Sequence, residues 1–143
     1  PSQTAGRPML DVLLGAEVHN ICVVVTRYFG GTLLGTGGLV RAYSGAVQEG
    51  LSNSTIVEKC LGRQLDITTD YTGIGKIQYI LAQNQIITLD TQYTDKVQVS
   101  AMVPQEKLDS IVAEITEGTS GRAELLEGDP VYYGLLDGEI VVF

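Results

Sequence analysis

The spacing of apolar residues changes period along the chain, and each change marks an element. Residues 1–6 read as an extended entry. Pro8 suits a first helical turn, and Met9, Val12, Leu13 and Ala16 give that helix an apolar stripe, ended by Asn20. Residues 21–27, with Val23, Val24 and Val25 in succession, form an apolar β-branched run that predicts a strand buried on both faces. A loop with glycines at 30, 31, 35, 37 and 38 follows. From Leu39 the spacing turns helical: Leu39, Tyr43, Ala46, Val47 and Leu51 share one face, with Arg41, Ser44, Gly45 and Gln48 opposite. Ser52-Asn53-Ser54-Thr55 reads as a linker.

Beyond it the pattern is β-α-β-β-α-β. Leu65 and Ile67 alternate with Gln64, Asp66 and Thr68, which predicts a strand with one face inward. Ile74, Ile77, Ile80 and Leu81 mark a helix. Ile87, Leu89, Thr91 and Tyr93, a turn at Thr94-Asp95, then Val97, Val99, Ala101 and Val103 predict a hairpin. Pro104 opens a helix carrying Leu108, Ile111, Val112 and Ile115, with Gly118 as its C-cap. A last strand over residues 121–132 completes a ferredoxin-like split motif. The chain is therefore expected to be α+β, with domains at 1–58 and 59–134, and 135–143 as a tail or edge strand. The first domain is the incomplete one: helix, strand and helix cannot cover both faces of a buried strand. Neighbouring strands are expected from residues upstream of Pro1, another chain, or the second domain.

Composition narrows the function. No apolar run approaches the ~18 residues that span a bilayer, and no signal-peptide pattern opens the chain, so no membrane is expected. Cys22 and Cys60 read as free thiols in a reducing cytoplasm. With His19 the one histidine and no C-x-x-C pair, neither a metal site nor a cofactor is expected. The net charge of −8 is uneven. In residues 1–51 Arg7, Arg27 and Arg41 balance Asp11, Glu17 and Glu49, and the remaining six cations face fourteen carboxylates. An acidic body repels phosphate backbones, so any nucleic-acid contact belongs to the first third.

The strand-to-helix turn there carries the chemistry. Glycines permit close approach, a helix start offers free N–H groups to an anion, and Arg27 and Arg41 bracket it. The spacing is neither a Walker A loop nor a dinucleotide fingerprint. A tight structural turn is the bland alternative, with both arginines paired to Asp11, Glu17 or helix-end carbonyls. Tyr28 and Phe29 are adjacent, so one is expected in the core and the other as a stacking surface, unless a bend at Gly30 buries both. His19 reads as structural, and Gly73-Ile74-Gly75-Lys76 as a plain helix start. No spaced carboxylate pair, G-x-S-x-G, H-E-x-x-H or Cys/His set is visible, so the chain does not read as an enzyme.

Thr4-Ala5-Gly6-Arg7-Pro8-Met9-Leu10 and the string from Val23 to Tyr43, containing R-Y-F-G-G-x-x-L-G and G-G-L-V-R-A-Y, resemble the signature of the IMPACT family with its bacterial YigZ/YvyE-like members. The resemblance is close over residues 1–51 and rests on element order thereafter. Gln3 departs from it, standing where glycine is usual. It implies a partial ribosomal-protein-S5-domain-2-like first domain, lacking strands before Thr4. It also implies a second domain like the last domain of translocation elongation factors. Eukaryotic members are translation regulators. The candidate binding residues are Thr4, Gly6, Arg7, Arg27, Tyr28, Phe29, Gly30, Gly31, Gly35, Gly37, Gly38 and Arg41. The leading expectation is a non-enzymatic, translation-linked binding protein whose partner is the ribosome, RNA or a translation-associated protein. The alternatives are a peptidase-like hydrolase completed by residues upstream, and a self-associating structural module forming a homo-oligomer.

Overall fold

Leu65 and Ile67 are wholly buried while Gln64, Asp66 and Thr68 are not, and this alternation sets the central strand of a five-stranded antiparallel sheet. The computed structural model describes all 143 residues, in two compact units, Pro1–Ile56 and Val57–Phe143. The fold is α+β. Helices α1 (Arg7–Gly15) and α2 (Gly35–Ser52) lie in the first unit. The second runs β1 (Cys60–Thr69), α3 (Ile74–Gln83), β2 (Ile87–Tyr93), β3 (Val97–Pro104), α4 (Leu108–Gly118), β4 (Glu124–Leu136) and β5 (Glu139–Val142), with strand order β2-β3-β1-β4-β5.

The core of the second unit lies between one sheet face and the two helices. Leu65, Ile67, Val97, Val99, Ala101 and Val103 meet Ile77, Ile80, Leu81, Leu108, Ile111 and Ile115 there. Each residue type suits its place: β-branched and small residues alternate in the strands, and the helices recur at three and four. On the opposite face Asp66 of β1 accepts from the Ser100 hydroxyl at 2.6 Å and the Gln64 amide at 2.9 Å. Arg63 donates to the Gly128 carbonyl at 3.0 Å, beside the register shift between β1 and β4. Ahead of α3 the Asp70 carboxylate accepts from the Thr72 hydroxyl at 2.7 Å and the Gly73 N–H at 2.8 Å. These bonds, the Thr72 hydroxyl first, hold its pKa below the usual aspartate value. Burial pushes the Tyr133 phenol up, with Cys60 and Glu106 adding to it.

Several sequence expectations change. Gly118 is the last residue of α4 and Thr119 the cap; the positive φ angles fall on Ser120 and Gly121. A Cβ at Gly118 would lie 3.1 Å from Ile80 Cδ1 and Lys76 Cε, so glycine serves the approach of α4 to α3. The last predicted strand extends to Leu136, and residues 139–142 return as the edge strand β5. Residues 1–6 form a π-helical turn, Ser2–Gly6, rather than an extended entry.

The buried strand at 21–27 is absent. Residues 21–30 have no regular structure, and none of them is buried. A strand exists through its ladder, and the first unit holds only helices and turns beside this run. Ala5 and Val47 are the only buried hydrophobic residues of that unit, so it has little interior for a valine run to enter. No helix is long and apolar enough to cross a membrane.

Candidate nucleic-acid or partner interface

The sequence between α1 and α2 yields a bare backbone. Glu17 and Asn20 take left-handed φ values of 55° and 56° as the chain leaves α1. Residues 18–33 then make none of the turn, loop or ladder hydrogen bonds of the chain. Their amides and carbonyls are left to solvent or to a ligand. Gly31 and Gly35 adopt φ of 89° and 72°, open only to glycine at low cost, and a Cβ at either would meet nothing within 4 Å. These two glycines serve chain direction, and crowding plays no part.

Helix α2 begins at Gly35, four residues before the apolar period does. Gly35, Gly37 and Gly38 are thus its first turn and not part of a loop. No side chain caps this end, and its first N–H groups stay open. At Gly38 a Cβ would come within 2.9 Å of Leu34 Cβ, so glycine allows the tight entry. At Gly37 a Cβ would lie 3.3 Å from an Arg41 guanidinium nitrogen, which places the Arg41 head back along the helix toward its start.

The three arginines differ. Arg7 donates from Nε to Asp11 at 2.8 Å, one turn on, the one salt bridge of the chain. Arg27 and Arg41 are exposed and have neither carboxylate nor carbonyl partner. The expected alternative, pairing with Asp11, Glu17 or helix-end carbonyls, does not occur for them. Tyr28 is 89% and Phe29 64% exposed, so neither is core, against both expectations for the pair. With no ladder to fix alternate faces, adjacent side chains need not divide between core and solvent. Gly30 is exposed beside them. Thr4 is half-buried and Gly6 exposed in the π-helical turn, which packs on α1 and α2. Arg27, Tyr28, Phe29, Gly30 and Gly31 thus form one exposed run of chain, and Gly35, Gly37, Gly38 and Arg41 one helix start.

Two features escaped the sequence. Val24 and Leu33 are 83% and 87% exposed, so the segment is apolar as well as cationic. The hydrophobicity of Val24 read as burial, because composition says what a residue favours and not whether a partner is present. A shallow groove between α1 and α2 is lined by Pro8, Asp11, Val12, Val40, Ser44 and Gln48. Val40, Ser44 and Gln48, spaced by four, were its signal, masked by the two polar members. His19 is exposed, and no cluster of three metal-ligating side chains exists.

Two family profiles match separate stretches of the chain. The profile described as Impact N-terminal domain matches residues 1–51, and that of a domain of unknown function, DUF1949, matches residues 67–122. The chain is 40% identical over 132 residues to the IMPACT family member YvyE of Bacillus subtilis, covering 92% of this chain and 61% of YvyE. It is 35% identical over 126 residues to the family member YigZ of Escherichia coli, covering 88% and 62%. The chain belongs to the IMPACT family. An IMPACT family member of Haemophilus influenzae is 36% identical over 132 residues, 89% of this chain and 63% of that protein. The chain spans about three fifths of the length of these IMPACT relatives. A crystal structure of a hypothetical protein is similar at 35% identity and a TM-score of 0.47, over 88% of this chain and 61% of that one.

Proposed function

We propose that this chain is a non-enzymatic, cytoplasmic binding protein linked to translation, and that its first unit contacts the phosphate backbone of structured RNA. One observation carries the reading: Arg27 and Arg41 stand free of any carboxylate, while Arg7 is engaged by Asp11. A free guanidinium retains its donors for a phosphate. The exposed rings of Tyr28 and Phe29 supply faces on which unstacked bases settle. The uncapped start of α2 adds open N–H groups. The second unit, which holds six cations against fourteen carboxylates, would keep RNA to the first. The IMPACT resemblance supplies the link to translation. It also supports reading residues 1–58 as the later part of an S5-domain-2-like domain. The β-α-β-β-α-β order and the strand order β2-β3-β1-β4 support a ferredoxin-like reading of 59–134.

The test is a salt-dependent titration of ribosomes and a structured RNA with Arg27→Ala, Arg41→Ala and the double variant. Each lost phosphate contact lowers the salt slope by about 0.7–0.9, so the double variant is expected to lose about 1.5. Arg7→Ala, already neutralised by Asp11, is expected to change the slope least. Binding by the double variant equal to wild type at every salt concentration overturns the reading.

A further inference from the structure

The sheet of the second unit has two free edges that are built differently. The β2 edge is interrupted by a register shift between Thr88 and Asp90 and carries the Asp90 charge, both of which discourage pairing with another chain. The β5 edge has no such shift, and its one charge, Glu139, stands at its first residue. It pairs with β4 without a shift, from Leu136 opposite Glu139 to Tyr133 opposite Val142, and it reads Glu-Ile-Val-Val followed by Phe143. Val142 and Phe143 remain 54% exposed.

The direction of its backbone groups follows from one bond. Phe143 N–H donates to the Tyr132 carbonyl of β4 at 2.9 Å. Ladder partners alternate in an antiparallel pair, so residues 139, 141 and 143 bond to β4, and Ile140 and Val142 turn their N–H and C=O groups outward. A second copy related by a two-fold axis at Val141 sets Ile140 opposite Val142 in both directions. That register closes four new hydrogen bonds and continues the sheet across the axis.

The same register brings complementary charges together. It sets Glu139 opposite Phe143 of the other copy, on one face of the joined sheet. Lys59 Nζ sits 4.3 Å above the Phe143 ring centroid. The Glu139 carboxylate of each copy is therefore set on the face that carries the ammonium of the other, twice per dimer. No other register that pairs Ile140 and Val142 with themselves aligns Glu139 with Phe143. We infer that β5 is a self-recognition edge, and that two copies of this chain join edge to edge through Ile140–Val142 and the reciprocal Lys59–Glu139 pairs. This inference is independent of RNA binding.

Sedimentation of the 143-residue chain up to millimolar concentration tests it, with circular dichroism of each variant alongside. The wild type is expected to shift from monomer to dimer with concentration. Val142→Pro removes an outward N–H that β4 does not use, so it is expected to keep its fold and stay monomeric. Lys59→Glu and Glu139→Lys alone are each expected to raise the dissociation constant several-fold, and together to restore it. A wild type that stays monomeric overturns the inference. So does a dimer that Val142→Pro leaves unchanged, or one that the double charge exchange fails to restore. Should Val142→Pro unfold, the charge exchange decides alone.

Discussion

Gly62 in β1 offers a demanding test of how the second unit is packed. A Cβ there would lie 2.5 Å from Cε1 of Tyr133 and 2.7 Å from the backbone oxygen of Val103. Tyr133 is 7% exposed, and its ring fills the space that the missing side chain leaves. To admit a methyl group the ring must swing out. Re-exposing about 100 Å² of it costs about 2.5 kcal/mol at 25 cal/mol per Å². The Val103 oxygen belongs to the neighbouring strand and has no rotamer to escape into, which adds about 1–3 kcal/mol of overpacking. Lower backbone entropy in the unfolded chain returns about 0.5–1 kcal/mol. Gly62→Ala should therefore cost about 2.5–5 kcal/mol, and native-state hydrogen exchange of the β1 and β3 amides should quicken about a hundredfold or more. Gly75→Ala is the control, since a Cβ there, on the exposed side of α3, meets nothing within 4 Å. It should slow exchange, through a gain of about 0.5 kcal/mol. With Tyr133→Ala in the background, the cost of Gly62→Ala should fall to the Val103 part. Exchange in Gly62→Ala within about threefold of wild type would refute the packing argument.

Three further outcomes follow from the same structure. Ile115, fully buried among Ile77, Ile111 and the sheet, should lose about 3–4 kcal/mol on truncation to alanine, measured by the same exchange experiment. Asp70→Asn should lower the unfolding midpoint at neutral pH and converge with wild type in acid. The Asp70 pKa is depressed in the folded state, so its stabilisation is present above the ordinary value of ~3.9 and vanishes as pH falls through the folded value. Tyr133, whose pKa is raised by burial, works in the opposite direction. Its neutral phenol costs nothing below about 10, and stability is lost as pH rises beyond that, a loss that Tyr133→Phe should abolish.

Local patterns were legible in the sequence wherever their partners lay near in the chain. The alternation at Leu65 and Ile67, the hairpin around Thr94-Asp95 and the helical spacing of Leu108, Ile111, Val112 and Ile115 each encode a face that the following element covers. Residues 21–27 read equally clearly and misled, because strand formation also requires a ladder partner, which no local pattern reveals. Gly118 shows the converse. A glycine near a helix end suggests a cap, yet its role comes from Ile80 and Lys76, some forty residues away. In the candidate site the residue types were readable, whereas the pairing of Arg7 and the freedom of Arg27 and Arg41 were not. Salt-bridge choice depends on side-chain reach in three dimensions, and Asp11 one turn beyond Arg7 decided it.

The unbonded run between α1 and α2 also makes the chain a natural substrate for a protease. Trypsin needs several residues of extended, unpaired backbone around a basic side chain, and Arg27 offers them without any prior unfolding. Nicking at the Arg27–Tyr28 bond should thus occur in the folded protein and be blocked by whatever occupies that stretch. Protection of a single peptide bond would then report occupancy directly, with no label and no substitution.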